Sequence, residues 1–228
     1  MASYLVVGGS SGIGKATVQH LVAAGHEVVN WSRSPGETPG VTEASCDVTE
    51  DVFPDPPQTL DGVVYCPGTI NLKPFTSLKV ADFQRDLDVN VLGAVKLIQH
   101  VLPVLKRSER ASVVLFSTVA VQTGMPYHAS IAAAKGAVEG LGRSLAAELA
   151  PSVRVNVIAP SLTDTPLAGS LLNSAEKKKG AGERHPLKRV GEASEMAGLV
   201  SMLLGDESRF MTGQVIKVDG GLSSVKLF

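Results

Sequence analysis

Tyr4-Leu5-Val6-Val7-Gly8-Gly9-Ser10-Ser11-Gly12-Ile13-Gly14 joins a short apolar run to the start of a helical pattern through a glycine-rich turn. Glycine tolerates backbone angles closed to other residues and lets a main chain approach a ligand without a Cβ in the way. A helix that begins directly after such a turn presents unpaired N–H groups and the positive end of its dipole, which together favour an anion. Between a strand and a helix this spacing reads as the cradle of a dinucleotide pyrophosphate, lined by Gly8, Ser10, Ser11, Gly12, Ile13 and Gly14. Apolar residues at helical spacing continue from Gly14 to Ala24, and Gly25 then supplies a natural C-terminal stop.

Outward from that turn, apolar runs at 3–7, 27–31, 61–65, 111–116, 153–158 and 214–218 alternate with Ala/Leu-rich helical stretches. Alternation at this spacing builds right-handed βαβ crossovers. The expected architecture is therefore α/β: one doubly wound domain over 1–228, with a mostly parallel sheet of about seven strands and helices on both faces. Between Cys46 and Leu60 the residues Pro54, Pro56 and Pro57 preclude a full helix and point to a shortened connection. The Pro-, Gly- and Ser-containing stretch 161–191 reads as an irregular substrate lid. Within it Lys177 to Lys179 read as a solvated face, and His185 as an exposed loop residue, with a contact to substrate as the alternative.

Composition narrows the function. The 228 residues are 44% hydrophobic and 19% charged, with a net charge of −1, a globular balance without the basic field that holds nucleic acid. Cys46 and Cys66 follow no metal-ligand spacing, so no metal is expected and a reducing compartment suits the chain. The N-terminal run lacks a basic leader and is too short to span a bilayer. These features predict a cytoplasmic protein that takes a small-molecule substrate and engages neither nucleic acid nor membrane. Helical stretches at 79–107 and 127–149 carry apolar residues on more than one face, which predicts a homodimer or homotetramer.

Gly8, Gly12 and Gly14 resemble the glycine spacing of the short-chain dehydrogenase/reductase family, and further landmarks follow in order along nearly the whole chain. They are Asp47-Val48, Gly68, Asn90, Lys135, Asn156 with Pro160, Thr212-Gly213 and Asp219-Gly220-Gly221. The resemblance implies a Rossmann fold and adds Ser32, Arg33, Asp47, Val48, Gly68, Lys135, Pro160, Leu162, Thr163 and Thr165 to the residues expected at the cofactor. An acid at the end of the second strand would accept from a ribose 2′-OH and repel a 2′-phosphate. The chain has Asn30-Trp31-Ser32-Arg33 there, a hydroxyl and a guanidinium, so NADP(H) is expected; a merely solvated Arg33 would instead leave NAD(H).

Catalytically the chain departs from the family it resembles, in which a Tyr and a Lys four residues apart share a helix face and the Lys lowers the phenol pKa. Lys135 is present, but Ile131 stands four residues before it. Thr118, beside Ser117, takes the place of the family's Ser; Cys66-Pro67-Gly68 replaces Asn-Ala-Gly; and Ser161 follows Pro160 where Gly is usual. Two residues could replace the phenol. A helix turns about 100° per residue, which returns His128 to within roughly 20° of the Lys135 face and leaves Tyr127 roughly 80° away. That projection requires the helix to reach residue 128, and Met125-Pro126 suggests that it only begins there. The resemblance implies an NADPH-dependent reductase of a carbonyl or an activated alkene, its proton coming from His128, Tyr127 or water, with Lys135, Asn90, Thr118, Ser117, His128 and Tyr127 as candidate catalytic residues. Ile131 keeps a second reading open, a degenerate NADP(H)-binding sensor or scaffold.

Overall fold

The computed structural model describes residues 1–226. Seven parallel strands form one sheet: β1 (Ser3–Val7), β2 (Glu27–Ser32), β3 (Thr42–Ser45), β4 (Gly62–Tyr65), β5 (Ala111–Phe116), β6 (Val153–Pro160) and, last in the chain, Val215–Val218. The order across the sheet is β3-β2-β1-β4-β5-β6, with the Val215–Val218 strand outside β6. Every residue of β1 and β5 is buried, as expected of parallel strands covered on both faces.

The alternation within β1 assigns the two faces. Leu5 and Val7 point into one cluster with Val63, Val113 and Val155, capped by Leu97, Ile98 and Val101 of helix α3 (Gly93–Leu105) and Val138 of α5 (Ala129–Leu149). Tyr4 and Val6 point into the other, with Val18 and Leu21 of α1 (Gly12–Ala23). Val200 and Leu203, from the helix Ala193–Leu204, complete that second cluster. Because β1 pairs with β2 on one side and β4 on the other, the chain leaves these strands in opposite directions and opens a crevice at their C-terminal ends.

Several local expectations need correction. The edge strand β3 was not among the six apolar runs, since Thr-Glu-Ala-Ser carries no hydrophobic pattern. The stretch expected as one helix over 79–107 is α2 (Val80–Leu87), a π-helical turn at Asp88–Leu92 and then α3. The run 80–105 is long and apolar enough to cross a membrane by length and composition alone, yet its apolar residues Leu97, Ile98, Val101 and Leu105 fill the core. As the prolines require, no helix forms between Cys46 and Leu60.

The segment 161–191 is more ordered than its composition suggests. After the short strand Thr163–Asp164 it forms a 3-10 turn (Pro166–Leu171) and a helix (Ala175–Glu183), then returns at Gly191–Glu192 to pair with Thr163–Asp164. The Ser174 hydroxyl caps that helix by accepting from the Lys177 N–H, and Lys177 to Lys179 lie exposed on it. His185 is 3% exposed, not a surface loop residue. Its Nδ1–H donates to the Ala181 carbonyl at 3.0 Å, leaving Nε2 to accept from the Ser161 hydroxyl at 2.9 Å.

Candidate functional site

The crevice between β1 and β4 is a cleft of about 990 Å³. The glycine turn forms its floor, and its conformation explains the sequence. Gly8 and Gly12 have φ of 80° and 53°, in the left-handed region. A Cβ at Gly14 would lie 2.2 Å from the Gly8 carbonyl oxygen, so only glycine allows the helix to start this close to the strand. Ser11 precedes α1 without a side-chain cap, leaving the first N–H groups of the helix free toward the cleft. Ser10, Ser11, Ile13 and Gly14 all line it. A glycine cradle with uncapped N–H groups at the switch point fits a dinucleotide pyrophosphate.

A polar group anchors the turn from below: the Gly9 N–H donates to Asn30 Oδ1 at 2.8 Å, and Asn30 Nδ2 donates to Glu43 Oε2 of β3 at 2.6 Å. Ser32, at the end of β2, lines the cleft and donates its hydroxyl to Asn30 Oδ1 at 2.8 Å, joining this network. Arg33 is exposed on the cleft rim. Glu43, not foreseen from the sequence, brings a carboxylate beside the end of β2, and its Oε1 has no partner among the described residues. Asp47 and Val48 line the cleft beyond β3; the Thr49 N–H and hydroxyl both donate to Asp47 Oδ1 and hold its carboxyl below the usual range.

Cys66, Pro67, Gly68 and Thr69 make the opposite wall. Behind it the π-helical turn presents Asn90 inward, where its Nδ2 donates to the Thr69 hydroxyl at 2.9 Å and to the Asp86 carbonyl at 2.7 Å. Thr69 in turn donates to Asp86 Oδ1 at 2.6 Å. Lys135 is buried, with Nζ donating to the Phe116 carbonyl at 2.8 Å. Burial pulls its amine down to about 8, against the opposing influence of Cys66 and Asp86. The Cys66 thiol is pushed by burial to about 12, opposed by the Lys135 charge.

The other catalytic candidates divide. Ile131 is 5% exposed on α5, one turn before Lys135. Thr118 is half-buried; its Oγ1 accepts from the Ala120 N–H at 3.3 Å, which leaves the hydroxyl proton free. Ser117 turns away, donating to Glu139 Oε1 at 2.9 Å, a buried carboxylate also contacted by Gln122. Neither His128 nor Tyr127 is helical, because α5 begins at Ala129, so the projection that favoured His128 does not hold. Tyr127 has φ 69° and is 58% exposed, and His128 lies before the first turn with Nδ1 donating to the Pro126 carbonyl at 2.7 Å. Pro126 and the left-handed Tyr127 stop the helix from extending backward. Beyond β6, Thr165 reaches the cleft, where it packs over Gly12; Pro160, Leu162 and Thr163 are not part of its wall. Thr163 is buried and donates to the Ser161 carbonyl.

Comparison with known proteins agrees with this geometry. Residues 7–223 match the family model described as enoyl-(acyl carrier protein) reductase. A tropinone reductase homolog of Arabidopsis thaliana is 36% identical over 240 residues, covering 96% of this chain and 92% of its own. The 3-oxoacyl-[acyl-carrier-protein] reductase MabA of Mycobacterium tuberculosis is 32% identical over 231 residues, with the same coverage of 96% and 92%. Among solved structures, the aldohexose dehydrogenase of Thermoplasma acidophilum superposes with a TM-score of 0.91 at 27% identity, covering 100% of this chain and 96% of that one. A short-chain type dehydrogenase/reductase of Mycobacterium ulcerans superposes with a TM-score of 0.87 at 32% identity, covering 97% and 90%. With its parallel sheet, glycine cradle and matches over nearly the full length, the chain belongs to the short-chain dehydrogenase/reductase family.

Proposed function

We propose that the protein is an NADPH-dependent reductase of a carbonyl or an activated alkene whose proton donor is the Lys135 ammonium. A bound nicotinamide would supply the hydride. The chain's own residues do the rest: the α1 N-terminus and Gly8 to Gly14 hold the pyrophosphate, with Asp47 and Val48 flanking the adenosine. Arg33 at the rim meets the 2′-phosphate. The Thr118 hydroxyl, its proton free, orients the substrate oxygen. As the C=O π pair moves onto that oxygen, Lys135 Nζ gives up a proton, and Asn90 fixes the wall beside it. The observation that carries this assignment is the place of Lys135, whose Nζ lies 3.5 Å from where a Cβ of the cleft-wall Gly68 would sit, with its amine lowered by burial to about 8, close to the pH at which a general acid works best, while Tyr127 and His128 precede α5. Ser117 is left out of the reaction because its hydroxyl is committed to Glu139.

Two observations favour the second reading, a non-catalytic NADP(H) binder: Ile131 occupies the position of the family's phenol, and Lys135 already donates to Phe116. Oxidation of NADPH with a panel of ketones, quinones and enoyl thioesters separates the two. Turnover of at least one substrate supports the reductase; tight NADPH binding with no turnover of any supports the binder. The reading further takes 1–228 as one domain with 161–191 as its substrate lid, acting in the cytoplasm, where the free Cys46 and Cys66 stay reduced. It pairs α3 and α5 across a two-fold axis in a homodimer or homotetramer, which light scattering at micromolar concentration tests.

A further inference from the structure

Glu139 takes no part in the reduction, yet it is 3% exposed on α5, one turn beyond Lys135. A buried carboxylate is costly unless donors meet its oxygens, so its donors show what the burial serves. The Ser117 hydroxyl donates to Oε1 at 2.9 Å and Gln122 Nε2 to Oε2 at 3.3 Å, while Nη1 of the exposed Arg143 stands 3.8 Å from Oε2.

Two of these donors bracket Thr118. Ser117 immediately precedes it at the end of β5, and Gln122 lies in the short helix α4 (Ala120–Thr123) that follows it. The Thr118 hydroxyl accepts from the Ala120 N–H at 3.3 Å, so its aim is set by the fold of this same turn. Main-chain bonds tie the turn along the sheet to β6, from the Ser117 N–H to the Ile158 carbonyl at 2.7 Å and from the Val119 N–H to the Pro160 carbonyl at 3.2 Å. Across to α5, the helix that carries Lys135, Glu139 holds it at both ends. The Ser117 hydroxyl also lies 3.3 Å from the Lys135 carbonyl, and Val121 Cγ1 is 3.6 Å from where a Cβ of Gly136 would sit, so the turn rests against α5 beside Lys135.

We propose that Glu139 is a positioning residue that clamps the turn 117–122 to α5 and thereby fixes the Thr118 hydroxyl relative to the Lys135 ammonium. Its effect on catalysis rests on the reductase reading above, whereas the clamp itself is a property of the fold. Two groups that act on one substrate oxygen must keep their spacing, and a misplacement of about 1 Å can cost about 10²-fold in rate. What the clamp requires is an acceptor, not a charge. Ser117 can donate to an amide oxygen, and Gln122 can turn its own amide to accept from the new N–H, so Glu139→Gln keeps both links and Glu139→Ala removes both.

Single-turnover reduction of a substrate that the NADPH panel identifies is compared for the wild type, Glu139→Gln, Glu139→Ala, Thr118→Val and the double variant Glu139→Ala/Thr118→Val, with hydrogen exchange followed in each. Glu139→Ala should slow reduction by about 10- to 100-fold with the NADPH Kd within about twofold, and Glu139→Gln should recover most of that loss. With Thr118 already replaced by Val, Glu139→Ala should cost no more than about twofold, because no hydroxyl is left to aim. Equal losses in both backgrounds, a Gln variant as slow as the Ala variant, or an Ala variant as fast as the wild type overturns the proposal. If no substrate turns over, the reductase reading fails by itself and exchange judges the clamp: faster exchange confined to 117–123 in Glu139→Ala and absent from Glu139→Gln upholds it, and unchanged exchange, or faster exchange throughout α5, overturns it. Should Glu139→Ala fail to fold, Gln122→Ala releases one end of the clamp from an exposed position and should give a loss of about three- to tenfold with the same dependence on Thr118; no loss there overturns the proposal.

Discussion

Removing the Lys135 amine should change how stability responds to pH. The group falls from an ordinary 10.5 to about 8 because folding strips it of water, and the folded state therefore binds fewer protons than the unfolded chain between those values. Stability rises with pH wherever the unfolded state holds more protons, so the wild type should gain free energy as pH climbs from about 8 toward 10.5. A shift of this size corresponds to about 3 kcal/mol, fully present as a penalty below pH 8 and relieved by pH 10.5. Lys135→Met removes the titration while keeping an unbranched apolar chain. At neutral pH its benefit is partly offset by the unsatisfied Phe116 carbonyl, which costs about 1–3 kcal/mol, so the informative quantity is the slope, not the offset. Urea unfolding of both proteins across this pH range, taken as a difference so that other lysines, tyrosines and cysteines cancel, should show the wild type gaining up to about 3 kcal/mol on the variant. A difference that stays flat with pH would mean that Lys135 is not held in a desolvated site, and the proposed proton donor would lose its physical basis.

Cofactor choice should respond to the two charges near the end of β2. Arg33→Ala should reduce a preference for NADPH over NADH, and Glu43→Gln should increase it, by removing a carboxylate that opposes a 2′-phosphate; equal wild-type affinities for the two dinucleotides refute the NADP(H) assignment. Because Tyr127 is 58% exposed and His128 precedes α5 with Nδ1 committed to the Pro126 carbonyl, Tyr127→Phe and His128→Ala should leave kcat within about threefold, and a loss of about 10²-fold from either would reinstate a relocated donor. His185→Leu should break the link to Ser161 and leave a half-buried hydroxyl without its acceptor, costing about 0.5–1.5 kcal/mol. Hydrogen exchange confined to residues 161–191 would report it, and unchanged protection there would show that the His185–Ser161 bond does not fasten the segment.

The sequence makes the floor of the cleft legible because its constraint is local: positive φ at Gly8 and Gly12, and the contact that a Cβ at Gly14 would make, are met only by glycine. The parallel core is legible for the same kind of reason, since doubly covered strands are continuous apolar runs. The π-helical turn that aims Asn90 inward leaves no mark in a hydrophobic pattern running unbroken into α3. Asp86 and Glu139 read as ordinary helix-surface charges. Their partners, Thr69 at 17 residues and Ser117 at 22, come from other elements, so only the packed fold shows that both are buried. The His128 projection failed where backbone chemistry overrode periodicity, and Gly124, with φ 69° just ahead of Pro126, was the available signal that no helix could run through this segment.

Single-turnover hydride transfer, followed by NADPH absorbance against pH for a substrate that the panel identifies, tests the central claim most directly. The account predicts that reduction by the wild type slows as pH passes about 8, where Lys135 loses its proton. Lys135→Met should be slower by about 10²- to 10⁴-fold and show no inflection there, provided that NADPH binding is retained. The same inflection persisting in Lys135→Met, or a rate near that of the wild type, would contradict the assignment of Lys135 as the proton donor.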